Sequence, residues 1–358
     1  MEQFALRPKI YFGENALSAL GQLSGKRVLI VTDDFLAHKS GLMERVLSHL
    51  PGCTVETFHK VRPDPSLRLV AEGVQVLRAF GPDAVVAFGG GSPMDCAKAM
   101  CHYAGGERPI FYAVPTTAGT GSEVTSFAVL TDTDKGVKYP VVDDALLPDA
   151  AILDASLLAG VPPTVTADTG MDVLTHAAEG YVANKATAFT DAMAEKAFSM
   201  AYHALPAAYR GDMGAKEQML LASCLAGIAF NAAGLGINHG LAHSLGGRYH
   251  VPHGRLNAML MPAVIRFNAV DERAGEKYAR LAKLCSLPPS ARSLASALDR
   301  LRGSLGMPDK LTACGVESKT VQGDMKELTA AALADVCTPG NPRTVNATDL
   351  AALIKEVL

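Results

Sequence analysis

Short strand-like segments, the clearest of them β-branched and apolar, recur through the first 160 residues of this chain and then thin out, and no other feature restricts its fold as much. Residues 28–32 (Val-Leu-Ile-Val-Thr) form the clearest run; 55–58, 84–88, 110–114 and 151–154 are the others. Each is too short for a helix, and 28–32 is too apolar for a half-exposed strand. Residues 28–32 therefore read as a strand buried on both faces and 84–88 as a buried strand, and the other segments read as strands. Helix-compatible segments lie between them. Residues 66–80 carry Leu69, Val70, Val74, Val76 and Leu77 at helical spacing, with Ser66 as N-cap. A polar helical stretch is expected from Asp33 and Asp34 to about Leu50, and another helix from about Pro93, which suits a first turn. Residues 124–130 and 137–142, separated by Asp132-Thr-Asp-Lys-Gly136, predict a hairpin. Strand and helix alternating in this way predict an α/β N-terminal domain, a Rossmann-like parallel sheet with helices on both faces.

Past a Gly/Pro break at 160–163, Ala- and Leu-rich stretches take over. Residues 190–205, 216–232, 273–284 and 291–305 read as helices, which makes the C-terminal domain all-α. A chain of 358 residues is long enough for two cores. The expected division is 1–161 and 162–358.

Composition excludes several classes of function. Half the residues are apolar (49%) and 19% are charged, which is a globular composition and not a disordered one. A net charge of -3, with no Trp and no basic tract, argues against nucleic acid as a partner. No apolar run reaches the length of a membrane span, and the start lacks a basic-then-apolar signal, so a cytoplasmic protein with no membrane partner is expected. The seven cysteines are scattered and form no C-x-x-C pair, which argues against both a disulfide framework and a thiolate metal site.

Two loops in the first domain suit a dinucleotide. Phe88-Gly-Gly-Gly-Ser-Pro-Met-Asp95 joins a buried strand to a helix start, where free N–H groups favour a phosphate. It departs from the G-x-G-x-x-G pattern, and a tight strand–helix turn alone would also use glycine. Pro115-Thr-Thr-Ala-Gly-Thr-Gly-Ser-Glu123 follows another strand and offers four hydroxyls. Asp33, ending the first clear strand, could accept from an adenosine ribose and would repel a 2′-phosphate, which favours NAD over NADP; a helix cap is the plainer alternative.

The second domain carries a metal-ligand pattern. Asp172 and His176 stand four apart, on one helix face. His239 and His243 repeat that spacing, and His253 follows a glycine-containing turn; His250, in the same polar turn, is the bystander. One carboxylate with several imidazoles suits Fe(II), Zn or another first-row ion. Spacing leaves His243 open as ligand or proton shuttle. The first domain thus reads as dinucleotide-binding and the second as metal-binding.

Taken together, Gly89-Gly-Gly-Ser-Pro-Met-Asp95, Pro115-Thr-Thr-Ala-Gly-Thr-Gly-Ser-Glu123, residues 172–176 and residues 239–253 resemble the iron-containing (group III) alcohol dehydrogenase family. The resemblance runs the length of the chain. It implies a dehydroquinate-synthase-like fold and metal ligands at Asp172, His176, His239 and His253, with His243 beside the site. It also implies cofactor contacts at Asp33, Gly89, Gly90, Gly91, Ser92, Asp95, Thr116, Thr117, Thr120, Ser122 and Lys138, and a weaker one at Asp64, where many relatives carry Asn. The implied cofactors are NAD and Fe(II), with Zn as the alternative ion. The implied chemistry is reduction of short-chain aldehydes (propionaldehyde, acetaldehyde) to primary alcohols, with His243 as the catalytic proton carrier. Further segments, such as Lys135-Gly-Val-Lys-Tyr-Pro140 and Arg266-Phe-Asn-Ala269, are similar to a branch of the family from propanediol-utilising bacterial microcompartments. That branch implies a homodimer or higher oligomer, with shell proteins or other microcompartment enzymes as partners. Competing readings are a zinc-dependent glycerol or polyol dehydrogenase, a non-catalytic scaffold, and a lyase of the dehydroquinate synthase type. The lyase would need several cations near the metal, where the sequence offers only Arg248 and Arg255.

Overall fold

The structure is a computed structural model that describes residues 4–134 and 137–358. It divides into two units, Met1–Val161 and Pro162–Leu358.

In the first unit the chain runs β1 (Lys9–Phe12), β2 (Arg27–Asp33), α1 (Asp34–His38), α2 (Leu42–Ser48), β3 (Thr54–Val61), α3 (Leu67–Phe80), β4 (Ala84–Gly89), α4 (Gly91–Ala104) and β5 (Ile110–Pro115). It continues through β6 (Phe127–Asp132), β7 (Val137–Val142) and β8 (Ala150–Leu153). Six strands form one parallel sheet in the order β1-β8-β5-β4-β2-β3, and β6 and β7 pair antiparallel as a separate ribbon. Every residue of β4 is buried, as its unbroken apolar run required. Odd-numbered side chains of three neighbouring strands (Leu29 and Val31, Val85 and Ala87, Phe111 and Ala113) share one core with Val70, Val74 and Leu77 of α3 and Met94 and Met100 of α4. Burying each of the larger ones is worth roughly 1.5–3 kcal/mol.

The chain leaves β2 for edge strand β3, then returns to place β4 on the other side of β2. A parallel sheet opens a crevice at such a reversal, beyond the carboxyl ends of its strands. Asp33 ends β2 and Gly89 ends β4, so both stand at that crevice.

Some boundaries differ from the sequence reading. The polar stretch after β2 breaks into two helices because Gly41 takes a left-handed conformation (φ 71°). Strand β6 starts at Phe127 and not at Val124, since Ser122–Val124 forms a 3-10 turn. Edge strand β1, with mixed polarity and four residues, gave no clear signal. Lys135 and Gly136 of the expected hairpin loop lie outside the described residues.

The second unit is helical: α5 (Pro163–Val182), α6 (Ala188–Tyr209), α7 (Met213–Ala233), α8 (Ile237–Tyr249), α9 (His253–Asn268), α10 (Glu272–Leu284), α11 (Ala291–Ser304), α12 (Ser318–Gly323), α13 (Met325–Ala334) and α14 (Ala347–Glu356). Its central element is α5, whose residues from Gly170 to Val182 are all buried. A helix buried all round should be apolar all round. Asp172, His176 and Glu179 break that rule, and buried polar groups of this kind need partners. No single helix among the described residues is long and apolar enough to cross a membrane; α7 and α8 meet that test only as a pair bent by 103°.

Candidate metal centre and cofactor loops

Gly89 and Pro115 are register partners at the ends of β4 and β5, so the two sequence-predicted loops begin side by side. Thr116 N donates to Gly89 O at 3.0 Å. The glycines let the loops touch. A Cβ on Gly91 would sit 2.9 Å from Thr120 Cγ2, and one on Gly90 would sit 3.3 Å from Thr117 Oγ1. Gly90 is the N-cap of α4 and brings no side chain to its free N–H groups, and Ser92 follows in the first turn. This is a backbone anion site in form.

Two of the expected cofactor contacts are already engaged inside the protein. Ser122 Oγ donates to Asp95 Oδ1 at 2.8 Å, and Val129 N donates to Asp95 Oδ2 at 3.0 Å. The buried Lys98 ammonium completes the pin. It donates to Ser122 Oγ (2.9 Å), Thr125 O (2.8 Å), Thr125 Oγ1 (3.1 Å) and Phe127 O (2.8 Å). These bonds also explain the 3-10 turn at 122–124. Burial pushes Lys98 down to about 8, against the pull of Asp95 and Glu123. Burial likewise raises Asp95, and it lifts Glu123 to about 7. Asp33 caps α1, accepting from Leu36 N at 2.9 Å. The capping alternative therefore holds for one of its oxygens. Lys138 pairs with Asp64 at 2.8 Å, and Asp64 itself is left-handed (φ 56°).

In the second unit three helices converge. Oδ1 of Asp172 (α5) lies 3.8 Å from Nε2 of His239 (α8) and 3.6 Å from Nε2 of His253, the first residue of α9. These three ligand atoms lie within 4.8 Å of one another. His176 stands one turn beyond Asp172, its ring stacked on His239 at 4.7 Å and on Phe230 at 4.5 Å. Its Nδ1 is buried without a hydrogen-bond partner among the described residues. The Asn257 amide nitrogen sits among the three acceptors, 2.6 Å from Asp172 Oδ1, 3.1 Å from His253 Nε2 and 3.3 Å from His239 Nε2. An amide has two hydrogens to share among three acceptors, whereas a cation would satisfy all three. Burial holds His239 well below the usual imidazole range, so it stays neutral with a lone pair to give. The three-donor set fits a first-row divalent ion, and His176, expected as the fourth ligand, stands beside it but outside that group. His253, with its side chain 31% exposed against 2% for His239, marks the open side.

Around this group lie residues the sequence reading did not pick. Glu179 accepts from His239 Nδ1 at 2.5 Å and from Asn238 N at 2.7 Å. Burial lifts its carboxyl to about 7, against those N–H bonds. Asn257 stands one turn after His253, and Asp335 accepts from His243 Nδ1 at 2.9 Å. Burial works to raise Asp335, but the His243 bond and the Cys337 N–H outweigh it and hold the carboxyl below its usual range. Spacing could have found Glu179, seven residues after Asp172 on the same face, and Asn257, four after His253. No local signal marks Asp335, 92 residues from its partner. His243 stacks on His253 at 5.1 Å and lies outside the three-donor group. His250 is the left-handed C-cap of α8 (φ 55°) and also lies outside it.

Comparison with known proteins decides the family. The profile of "Iron-containing alcohol dehydrogenase" matches residues 7–155, and that of "Fe-containing alcohol dehydrogenase family, C-terminal" matches residues 166–358. The chain belongs to the iron-containing alcohol dehydrogenase family. It is 43% identical to the 1-propanol dehydrogenase PduQ of Citrobacter freundii, with 100% of both chains covered. It is 39% identical to the NAD-dependent methanol dehydrogenase of Bacillus methanolicus, again over 100% of both. It is 38% identical to the NADPH-dependent butanol dehydrogenase of Clostridium saccharobutylicum, over 97% of this chain and 95% of that one. The solved structure of a 1,3-propanediol oxidoreductase matches with a TM-score of 0.92 and 37% identity, covering 100% of both chains. Such likeness places this dehydrogenase in the dehydroquinate-synthase-like fold that its sequence implied. The lyase reading finds no support in the cations either. Arg248 is paired with Asp324 at 2.8 Å and Arg255 with Asp168 at 2.9 Å, so both are committed inside the protein.

Proposed function

We propose that this dehydrogenase uses NAD and a divalent metal, iron first, to reduce short-chain aldehydes such as propionaldehyde and acetaldehyde to primary alcohols, regenerating NAD+. The carrying observation is the convergence of Asp172, His239 and His253 on one point beside His176. These four residues would hold the ion. When bound, it would act as a Lewis acid on the carbonyl oxygen, and the nicotinamide would supply hydride to the carbonyl carbon. Residues of the chain do the rest. Asp335 accepts from Nδ1 of His243, so Nε2 would take up a proton from solvent, the Asp335 carboxylate steadying the imidazolium, and release that proton to the product oxygen. Glycines 89–91, Ser92, Thr116, Thr117 and Thr120 would receive the pyrophosphate end of the cofactor, and Lys138 and Asp64 its ribose. Asp95 and Ser122 would hold these loops in place.

Relatives named for NAD and for NADPH are both at hand, so the preference rests on Asp33 at the end of β2. Its carboxylate, followed by Asp34, disfavours a 2′-phosphate. The likeness to PduQ extends the reading to a homo-oligomer working with shell proteins or other enzymes of a bacterial microcompartment; a diffuse distribution in cells that build such shells would count against that.

The test is NADH oxidation with propionaldehyde by protein loaded anaerobically with Fe(II), beside a His253→Ala variant. Turnover in the parent and its loss in the variant support the reaction and the ligand set. A metal-loaded parent that binds NADH without turning over would refute the aldehyde assignment. A zinc-dependent polyol dehydrogenase is the second reading, favoured by the 1,3-propanediol oxidoreductase match and by a donor set that zinc accepts. Glycerol oxidised faster than propanol by the zinc form would select it.

A further inference from the structure

Glu179 is the most deeply committed carboxylate of the second unit that no step above uses. It is 4% exposed, on the central helix α5, and meets the start of α8. Asn238 N donates to Oε1 at 2.7 Å, Gly236 N donates as well, and His239 Nδ1 lies 2.5 Å from Oε2. Gly236, Asn238 and His239 open helix α8, whose N-cap, Gly236, has no capping side chain. Glu179 therefore supplies from a neighbouring helix the cap that α8 lacks, and it grips the first imidazole of that helix in the same pair of oxygens. Glycine at 236 keeps room for it, since a Cβ there would sit 2.8 Å from Glu179 Oε1.

The consequence lies at the other ring nitrogen. A neutral imidazole carries one proton, and an acceptor beside Nδ1 draws that proton there. Nε2 is then left with its lone pair, facing Asp172 Oδ1 and His253 Nε2. We propose that Glu179 is a positioning residue for the metal centre, fixing the ring and the tautomer of His239 so that Nε2 is presented to the ion. The inference rests on the reading of Asp172, His239 and His253 as ligands. Such a carboxylate also makes the imidazole a better donor, and losing a partner of this kind typically weakens metal binding by about 10- to 100-fold.

The test measures Co(II) affinity by chelator competition, together with the visible bands of the Co(II) protein and its melting temperature. Glu179→Gln keeps the shape but sets an NH2 where a carboxylate oxygen stood, which either clashes with the Nδ1–H of His239 or donates to Nδ1 and moves the ring proton to Nε2. Its Co(II) dissociation constant is expected to rise at least about 10-fold, with altered bands. Gly236→Ala keeps the glutamate but crowds its Oε1, shifting the carboxylate, so a smaller loss of affinity in the same direction is expected. In the zinc-loaded parent, a far-downfield proton signal from His239 Nδ1–H, assigned with His239→Ala, should vanish in Glu179→Gln. A mere cap would lower the melting temperature and leave the affinity, bands and proton signal of the folded protein as they were; that result overturns the proposal. If Glu179→Gln does not fold, Gly236→Ala decides, and affinity within twofold of the parent overturns it. A parent that binds no Co(II) would refute the ligand reading and this inference with it.

Discussion

Replacing Gly254 by alanine tests how closely the metal centre depends on helix spacing. Gly254 follows His253 in the first turn of α9, where that helix meets α5. A Cβ added there would lie 2.1 Å from the Asp168 carbonyl oxygen and 3.3 Å from Asp172 Cβ. Carbon–oxygen contacts settle at about 3.3 Å or more, so the methyl lacks roughly 1.2 Å of room. The obstacle is main chain of the central helix, which no side-chain rotation relieves. The two helices would have to part by on the order of 1 Å, against the roughly 0.2 Å that a metal–ligand distance tolerates. We expect Gly254→Ala to lower stability by about 1–3 kcal/mol through overpacking. We also expect it to weaken metal binding by at least about 10-fold, the scale of losing an outer partner. Gly247→Ala in α8 is the control, because a Cβ there meets nothing within 4 Å. It should be neutral or stabilising by up to about 1 kcal/mol. Chelator competition and urea unfolding measure both quantities. Unchanged metal affinity and stability in Gly254→Ala would refute the argument from close approach.

Other outcomes are expected. Burial holds Glu123 at about 7, and its Oε1 has no partner among the described residues. Between about pH 4.5 and 7 the folded chain therefore keeps a proton that the unfolded chain has lost, and stability falls as pH rises through that window by up to about 3 kcal/mol. Glu123→Gln should flatten this slope in urea titrations at several pH values; a slope equal to the parent's would rule the account out. Asp335→Asn should cut kcat by about 100-fold or more while metal content, read by elemental analysis, stays at the parent's level. Loss of metal in that variant would move Asp335 from proton handling to ligand support. Asp33→Ser should narrow the preference for NADH over NADPH in kcat/KM; an unchanged ratio would assign Asp33 to its helix cap alone.

The parts of this protein that follow from short-range physics were legible in the sequence. Buried strands β2, β4 and β5 announced themselves as apolar runs, and Ser66 as the cap of α3. His239, His253 and Asp172 stood out because imidazoles and a carboxylate in apolar helices need a reason. What escaped was set by tertiary contact. Asp95 and Ser122, expected at the cofactor, are bonded to each other, and Lys98 bonds Ser122, a link with no local signal in the sequence. Glu179 reads as an ordinary helix glutamate until α8 is seen to begin against it. Asp335 joins His243 across 92 residues, a pairing that no local pattern announces.

Asp172 and His176 ride on α5, His239 on α8 and His253 on α9, so a bound ion would be a strut across three helices. An unfolded chain offers no such set, and ion binding adds directly to the free energy of unfolding, by about 2.7 kcal/mol at a hundredfold excess over the dissociation constant. The supply of metal is then also a supply of lifetime. A chain starved of its ion would open more often and meet proteases more often, so it would disappear before it could accumulate as inactive enzyme. Limited proteolysis with and without a chelator is expected to show the difference, with the cuts concentrated in the helical unit. The quantity of this protein in a cell would then report the metal available as directly as its activity does.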